Sequence, residues 1–239
     1  MNYRSLLRLA ARRIGFDVSA VSIHKHSFVR RAMQLEHLGT DLVLDVGAND
    51  GGFGGYLREL GYVGTIRSFE PLKSAYEKLR LRCSKDSSWF AENYALGSSS
   101  SSRDIHIAGN SESSSFLEML PAHLEAAPSS VFCAKEKVEI KALDDIFDEV
   151  ANGFRNVFLK IDTQGFEQEV LKGAQSSLRG VSAVQLEVST VPLYEGALLF
   201  HELHAFMRDS GFELVDIEPM FADKISGRVL QADAVFQRQ

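Results

Sequence analysis

The stretch from Asp41 to Pro71, DLVLDVGANDGGFGGYLRELGYVGTIRSFEP, constrains the fold more than any other part of the chain. Leu42, Val43, Leu44 and Val46 form an apolar run that is too short for an independent helix and aliphatic enough for a strand buried on both faces. Gly47 breaks the run into a loop that carries Gly51, Gly52, Gly54 and Gly55. Phe53, Tyr56, Leu57 and Leu60 then recur at helical spacing until Gly61 ends the helix. A second strand over 65–69 runs into Glu70-Pro71. Strand, glycine loop, helix and strand, with an acid at the second strand's tip, make the first half of a nucleotide-binding α/β unit.

A dinucleotide pocket needs G-x-G-x-x-G, so that backbone amides close on a pyrophosphate at a helix N-terminus. Gly47-Ala48-Asn49 departs from that pattern, and Asp45 and Asp50 would repel a phosphate. Acids suit a ligand with a positive end and no phosphate. S-adenosylmethionine, with its sulfonium, ammonium and ribose diol, is such a ligand. Glu70 is placed to accept from both ribose hydroxyls. Asp45 and the Gly47 loop would bound the methionine portion, and Asn93, Ala95 and Leu96 the adenine edge. The candidate cofactor-binding set is Asp45, Gly47, Ala48, Asn49, Gly51, Phe53, Glu70, Pro71, Asn93, Ala95 and Leu96. The competing reading is that the glycines only turn the chain and Glu70 is a solvated strand end.

At 239 residues, 45% hydrophobic and 24% charged, the chain suits one medium globular domain. A net charge of −6 argues against a nucleic-acid binder that works by neutralising phosphates. Cys83 and Cys133 form neither a disulfide framework nor a metal cluster, which points to a reducing cytoplasm. No apolar run approaches the length of a membrane span. The first 15 residues hold Arg4, Arg8, Arg12 and Arg13 and no acid, while Leu7, Ala10, Ala11 and Ile14 can share another helical face. The leading expectation is an amphipathic helix packed against the domain or a partner. A helix lying on the anionic inner face of a membrane, and a cleaved targeting peptide, are the other readings.

Residues 1–40 read as a helical extension and 41–239 as the main domain, with an insertion over about 98–137. Helices are expected over 24–37 and 72–82, and a third strand over 88–96. The serines 98–102 read as a loop. Segments 103–108 and 138–143 alternate like an inserted hairpin or edge strands, and the residues between them suit a lid. Regularity returns with a helix from Asp144, a strand over 157–161 that ends at Asp162, and a helix over 166–178. A strand over 181–188 carries Glu187, and a helix over 200–210 precedes a terminal hairpin of 212–217 and 229–236. This is an α/β, Rossmann-like layout: a seven-stranded, mostly parallel sheet with a C-terminal antiparallel hairpin and helices on both faces.

The residues resemble the FkbM-type S-adenosylmethionine-dependent methyltransferases. The match runs through DVGANDGGF (45–53), SFEP (68–71), NYALG (93–97), SSSFL (113–117), KALDDI (141–146), LKIDTQGFEQEVLKGA (159–174), LEVSTVPLYEG (186–196) and SGRVLQADAVF (226–236). The resemblance implies a class I methyltransferase fold and O-methylation of a sugar, polysaccharide, glycolipid or natural-product hydroxyl. The alternative is a non-catalytic, cofactor-binding partner in glycan assembly. The family usually has D-x-E-G after the fourth strand, where this chain has Asp162-Thr163-Gln164-Gly165. An amide can neither take a proton near neutral pH nor balance a cation.

Asp45, Glu70, Asp162 and Glu187 fall at strand ends and should share one rim. A hydroxyl acceptor must lose its proton, so a nearby base helps; Asp162 is the first candidate and Glu187 the second. Otherwise Asp162 caps the following helix and Glu187 pairs with Lys160 or an arginine. No protein metal site is assigned; a magnesium ion between Asp162 and Glu187 is the minority arrangement, and Gln164 counts against it. Ser114 and Ser115 are candidates to hydrogen-bond a sugar or the cofactor carboxylate, a role that comes from the resemblance. Tyr194 either shapes the acceptor pocket or belongs to a turn. His123 could reach the site as a base from within the insertion.

Overall fold

A computed structural model describes residues 3–16, 18 and 20–239. In chain order the elements begin α1 (Tyr3–Arg13), α2 (Ser27–His37), β1 (Leu42–Val46), α3 (Gly52–Glu59), β2 (Thr65–Phe69), α4 (Lys73–Cys83), β3 (Trp89–Glu92), β4 (Ala95–Leu96) and β5 (Ser101–Ala108). They continue α5 (Pro121–Ala126), β6 (Phe132–Lys141), α6 (Leu143–Ala151), β7 (Val157–Ile161), α7 (Glu167–Lys172), β8 (Val181–Ser189), α8 (Phe200–Asp209), β9 (Phe212–Ala222) and β10 (Val229–Arg238).

Seven strands form one sheet in the order β3-β2-β1-β7-β8-β10-β9. β1 and β7, buried along their whole length, pair in parallel at its centre, Asp45 opposite Lys160. β10 returns antiparallel between β8 and β9, so the expected terminal hairpin closes the sheet. The chain order reverses between β1 and β7, which opens a crevice beyond the carboxyl ends of those strands. Apolar side chains cover both faces. Leu35 of α2, Leu57 of α3 and Leu79 of α4 pack with Val43, Ile66 and Phe158 on one face. On the other, α6, α7 and α8 bring Leu143, Val170 and Met207 against Leu44, Leu159 and Leu186.

The expected third strand divides at Asn93. The Asn93 side chain donates to the carbonyls of Glu70 (2.9 Å) and Pro71 (3.0 Å), turning the chain out of the main sheet before β4. β4 joins β6 and β5 in a second, three-stranded sheet. The expected loop over 98–102 is shorter than anticipated, because Ser101 and Ser102 already pair with Ile140 and Glu139. The 103–108 and 138–143 segments do form a hairpin, and Ile105, Phe116, Val138 and Ile140 bury against the main core. The helix expected to run to 178 ends at Lys172: a Cβ on Gly173 would lie 1.9 Å from the Gly97 carbonyl oxygen, so two backbones meet there.

The N-terminal helix forms as α1 but does not pack on the domain. Leu6, Leu7 and Leu9 stay about half exposed at 48, 48 and 49%, and Ile14 and Phe16 are more exposed still. Of the two contacts expected of α1, these side chains do not make the one with the domain, and packing on a partner stands as an expectation. Among the described residues, no helix is long and apolar enough to cross a membrane.

Candidate active site

Beyond the carboxyl ends of β1, β2 and β7 lies a cleft enclosing about 550 Å3, its open mouth included. Gly47 and Asn49 line it from the loop after β1, Glu70, Pro71 and Leu72 from the turn after β2, and Ala95 and Leu96 from β4. Asp162, Thr163 and Gln164 enter from the turn after β7. The insertion supplies the roof through Ile105, Ser111, Glu112, Ser114 and Phe116.

Glu70 is fixed rather than solvated. Its Oε2 accepts the Asn49 backbone N–H at 2.8 Å and its Oε1 the Leu72 N–H at 2.8 Å. Each carboxylate oxygen can accept a further hydrogen bond. Burial pushes the carboxyl up to about 7, although both backbone donors and Lys160 favour its charged form.

Gly47 has φ +75°, and a Cβ there would sit 1.9 Å from the carbonyl oxygen of Asp162. Only glycine lets the loops after β1 and β7 touch in this way. Beneath the contact, the Lys160 ammonium lies 3.2 Å from Asp45 Oδ1 and 3.5 Å from Asp162 Oδ2, and donates to the Gly47 carbonyl at 3.2 Å. Burial opposes its charge, but Asp45 and Asp162 outweigh burial and hold its pKa above the usual value. Asp45 is fully buried, accepts from Ser68 Oγ at 3.1 Å, and faces Lys160 rather than the cleft.

Gln164, at φ +54°, joins the acids. Its amide nitrogen donates to Asp162 Oδ1 and to Glu187 Oε2, each at 2.9 Å, while its carbonyl oxygen accepts from the Tyr194 hydroxyl at 2.8 Å. Gln231 donates to the same Glu187 oxygen at 2.8 Å. Burial and then the charges of Asp162, Glu167 and Asp233 push the Glu187 carboxyl well above the usual range. Glu167 ties the turn together by accepting the N–H groups of Thr163 (2.9 Å) and Gly165 (3.1 Å). Its burial raises it to about 7. Ser115 Oγ donates to the Gln164 carbonyl at 2.7 Å and accepts from the Leu117 N–H at 3.0 Å.

The sequence-predicted residues thus divide. Gly47, Asn49, Glu70, Pro71, Ala95, Leu96, Ser114 and Asp162 line the cleft. Asp45, Ala48, Gly51 and Phe53 sit behind it, and Gly51 is crowded by Leu79 and Trp89. Asn93 braces the turn after β2. Glu187, Ser115 and Tyr194 stand in the shell around Gln164. His123 is buried between Tyr194 and Phe221, with Nε2 3.2 Å from Ser130 Oγ, away from the cleft. Among the described residues no group of three or more His, Cys, Asp or Glu is arranged to hold a metal ion.

The apolar walls formed by Phe69, Leu72, Ile105 and Phe116 were not legible as site residues, since they read as ordinary strand and loop hydrophobes. Glu167 was also missed. Its signal was an acid two residues after the glycine of the β7 turn.

The walls fit the adenosine part of S-adenosylmethionine: an apolar slot beside a buried carboxylate that can accept from a diol. Residues 45–214 match the Methyltransferase FkbM domain family. The fold is similar to that of methyltransferase FkbM from Methylobacillus flagellatus KT, with a TM-score of 0.50 and 15% identity, over 82% of this chain and 43% of that one. This chain thus spans less than half of that relative's length, and at such identity the likeness speaks for the fold alone. TehB from Haemophilus influenzae superposes with a TM-score of 0.49 and 10% identity over 91% of this chain and 64% of its own. Magnesium protoporphyrin IX methyltransferase (ChlM) from Synechocystis PCC 6803 does so with 0.47 and 9% over 100% and 98%. No curated protein matches the chain. The family match covers most of the chain and includes both strand-end turns that build the cleft, so the chain belongs to the FkbM methyltransferase family, the S-adenosylmethionine-dependent group its motifs resemble.

Proposed function

We propose that the chain methylates a hydroxyl of a saccharide, glycolipid or natural product, with S-adenosylmethionine held in the cleft between β1, β2 and β7. The observation that carries this reading is Glu70, a buried carboxylate on the cleft wall, oriented by two backbone N–H groups and able to accept from two adjacent hydroxyls. When bound there, the cofactor supplies an electrophilic methyl on a positively charged sulfur. Gly47 and Asn49 shape the end of the cleft next to Asp162, and Phe69, Leu72 and Leu96 exclude water from its apolar side. Asp162 Oδ2 faces the Lys160 ammonium, and Oδ1 is held by Gln164. In this reading the acceptor hydroxyl gives its proton to Asp162 as its oxygen takes the methyl. Glu187 is the second base candidate, but it stands behind Gln164, where burial and neighbouring acids push its carboxyl well above the usual range.

Alignment of acceptor and methyl provides most of the acceleration, about 7–11 kcal/mol at its upper end. A positioned base contributes roughly 100- to 10,000-fold. Asp162→Asn is therefore expected to lower turnover by about that factor while leaving S-adenosylhomocysteine affinity nearly unchanged. Labelled S-adenosylmethionine incubated with the protein and extracts of its host checks this; equal labelling by the variant would remove Asp162 from the chemistry. Free Cys83 and Cys133 support a reducing cytoplasmic setting. The exposed apolar and arginine faces of α1 support work beside an anionic membrane surface.

A further inference from the structure

On the sheet face covered by α2 and α3, a second cleft enclosing about 780 Å3, its open mouth included, lies between those helices and strands β8, β10 and β9. Arg31 enters from α2, Phe53 and Tyr56 from α3, and Gln185, Asp233 and Glu218 from the strands. The polar groups are chained. Arg31 donates to the Gln185 side-chain oxygen, and Gln185 donates to Asp233 Oδ2 at 2.7 Å. Arg31 is only 4% exposed, and its Nε–H has no partner among the described residues. A buried, incompletely paired guanidinium is costly and is commonly completed by a ligand or water.

The second cleft adjoins the acids of the first. Phe53 lies with its ring centroid 5.5 Å from Lys160 Nζ, the ammonium that touches both Gly47 and Asp162. Gln185 is the direct strand neighbour of Lys160, and Asp233 stands opposite Glu187. Lys160 therefore stands between Phe53 of the second cleft and Asp162 on the wall of the first.

We propose that this second cleft holds the methyl acceptor and reads a vicinal diol on a saccharide ring, an assignment that rests on the methyl-transfer reading above. Planar groups in series, a guanidinium, an amide and carboxylates, match the paired donors and acceptors of neighbouring hydroxyls. The rings of Phe53 and Tyr56 offer faces for the C–H side of a sugar. Two carboxylates beside one arginine disfavour a phosphate or other anion. The acceptor thus enters from the α2 side, and the insertion serves the cofactor.

The test uses the full chain loaded with S-adenosylhomocysteine, and methyl α-glucoside, methyl α-galactoside, methyl α-mannoside and methyl α-fucoside as probes, followed by saturation-transfer NMR. At least one glycoside should bind. Asp233→Asn should weaken it by about tenfold or more, as expected for a lost charged hydrogen bond, and Tyr56→Ala, at an exposed position, should weaken it severalfold. Both variants should keep wild-type affinity for S-adenosylhomocysteine by calorimetry. No glycoside binding, or equal binding by both variants, would overturn the acceptor assignment while leaving the cofactor cleft intact. Loss of glycoside binding in Ser114→Val instead would place the acceptor under the insertion and also overturn it. Failure of wild-type protein to bind S-adenosylhomocysteine would overturn the underlying methyl-transfer reading as well.

Discussion

The side-chain amide of Gln164 donates to Glu187 Oε2 at 2.9 Å, a donor set against a carboxyl group that burial and neighbouring acids already push well above its usual range. Gln164→Glu would remove this donor and the one to Asp162, and would place a third acid within reach of both. The variant is expected to lose about 1–3 kcal/mol at pH 8. The new carboxyl gains like-charged neighbours, so its folded-state pKa rises, and its protonated form relieves the penalty at low pH. Calorimetric melts at pH 5 and pH 8 check this; an equal penalty at both would show that charge is not the cause.

Glu70→Gln removes the charge and turns one of the two oxygens, each of which accepts a backbone N–H, into an NH2 donor. S-adenosylhomocysteine should bind more weakly by about 1.5–3 kcal/mol, the range of a hydrogen bond to a charged group. Isothermal titration measures it directly. Wild-type affinity in the variant would take Glu70 out of ribose recognition.

Glu70 and Glu167 are both held near 7 by burial, above their usual 4.5. A group whose folded pKa is raised gives stability that is fully present below its unfolded pKa and lost as pH rises through its folded pKa. The cofactor-free protein should therefore melt at progressively lower temperature as pH rises from about 4.5 to about 7. Glu167→Gln should flatten that slope, since its amide oxygen can still accept from Thr163 and Gly165. Asp86 and Asp144, whose pKa values are lowered, act below this window, while His123, lowered by burial, opposes the slope within it. A melting temperature that climbs across it would contradict the assignment.

α1 carries exposed Leu6, Leu7 and Leu9 together with arginines at positions 8, 12 and 13. Such a helix should bind phosphatidylglycerol vesicles and leave neutral phosphatidylcholine vesicles largely unbound, with each basic residue near the surface worth about 1 kcal/mol. Co-sedimentation at low and high salt tests this, with Leu6→Glu as the disrupting variant. Salt-independent binding, or none, would remove the membrane from the account.

Much of this architecture was legible in the sequence because it rests on local periodicity. The apolar run at Leu42, the glycines after it and the acid at Glu70 lie within one short segment, and strand-end geometry then gathers Glu70 and Asp162 on one rim. The link through Gln164 was not legible. It depends on a positive φ and on side chains from Glu187 and Tyr194 that meet only after three separate turns are folded. The early stop of α7 has the same origin, since Gly173 meets the backbone of Gly97, which follows β4. The second cleft was hidden for the same reason, because α2 and β9 meet only across the finished sheet.

Ser115 belongs to the insertion that roofs the first cleft, yet its hydroxyl is fastened to the peptide carbonyl of Gln164, next to Asp162. Lifting the insertion therefore breaks a hydrogen bond to the same turn that places Asp162 on the cleft wall, so the two segments are mechanically joined at its mouth.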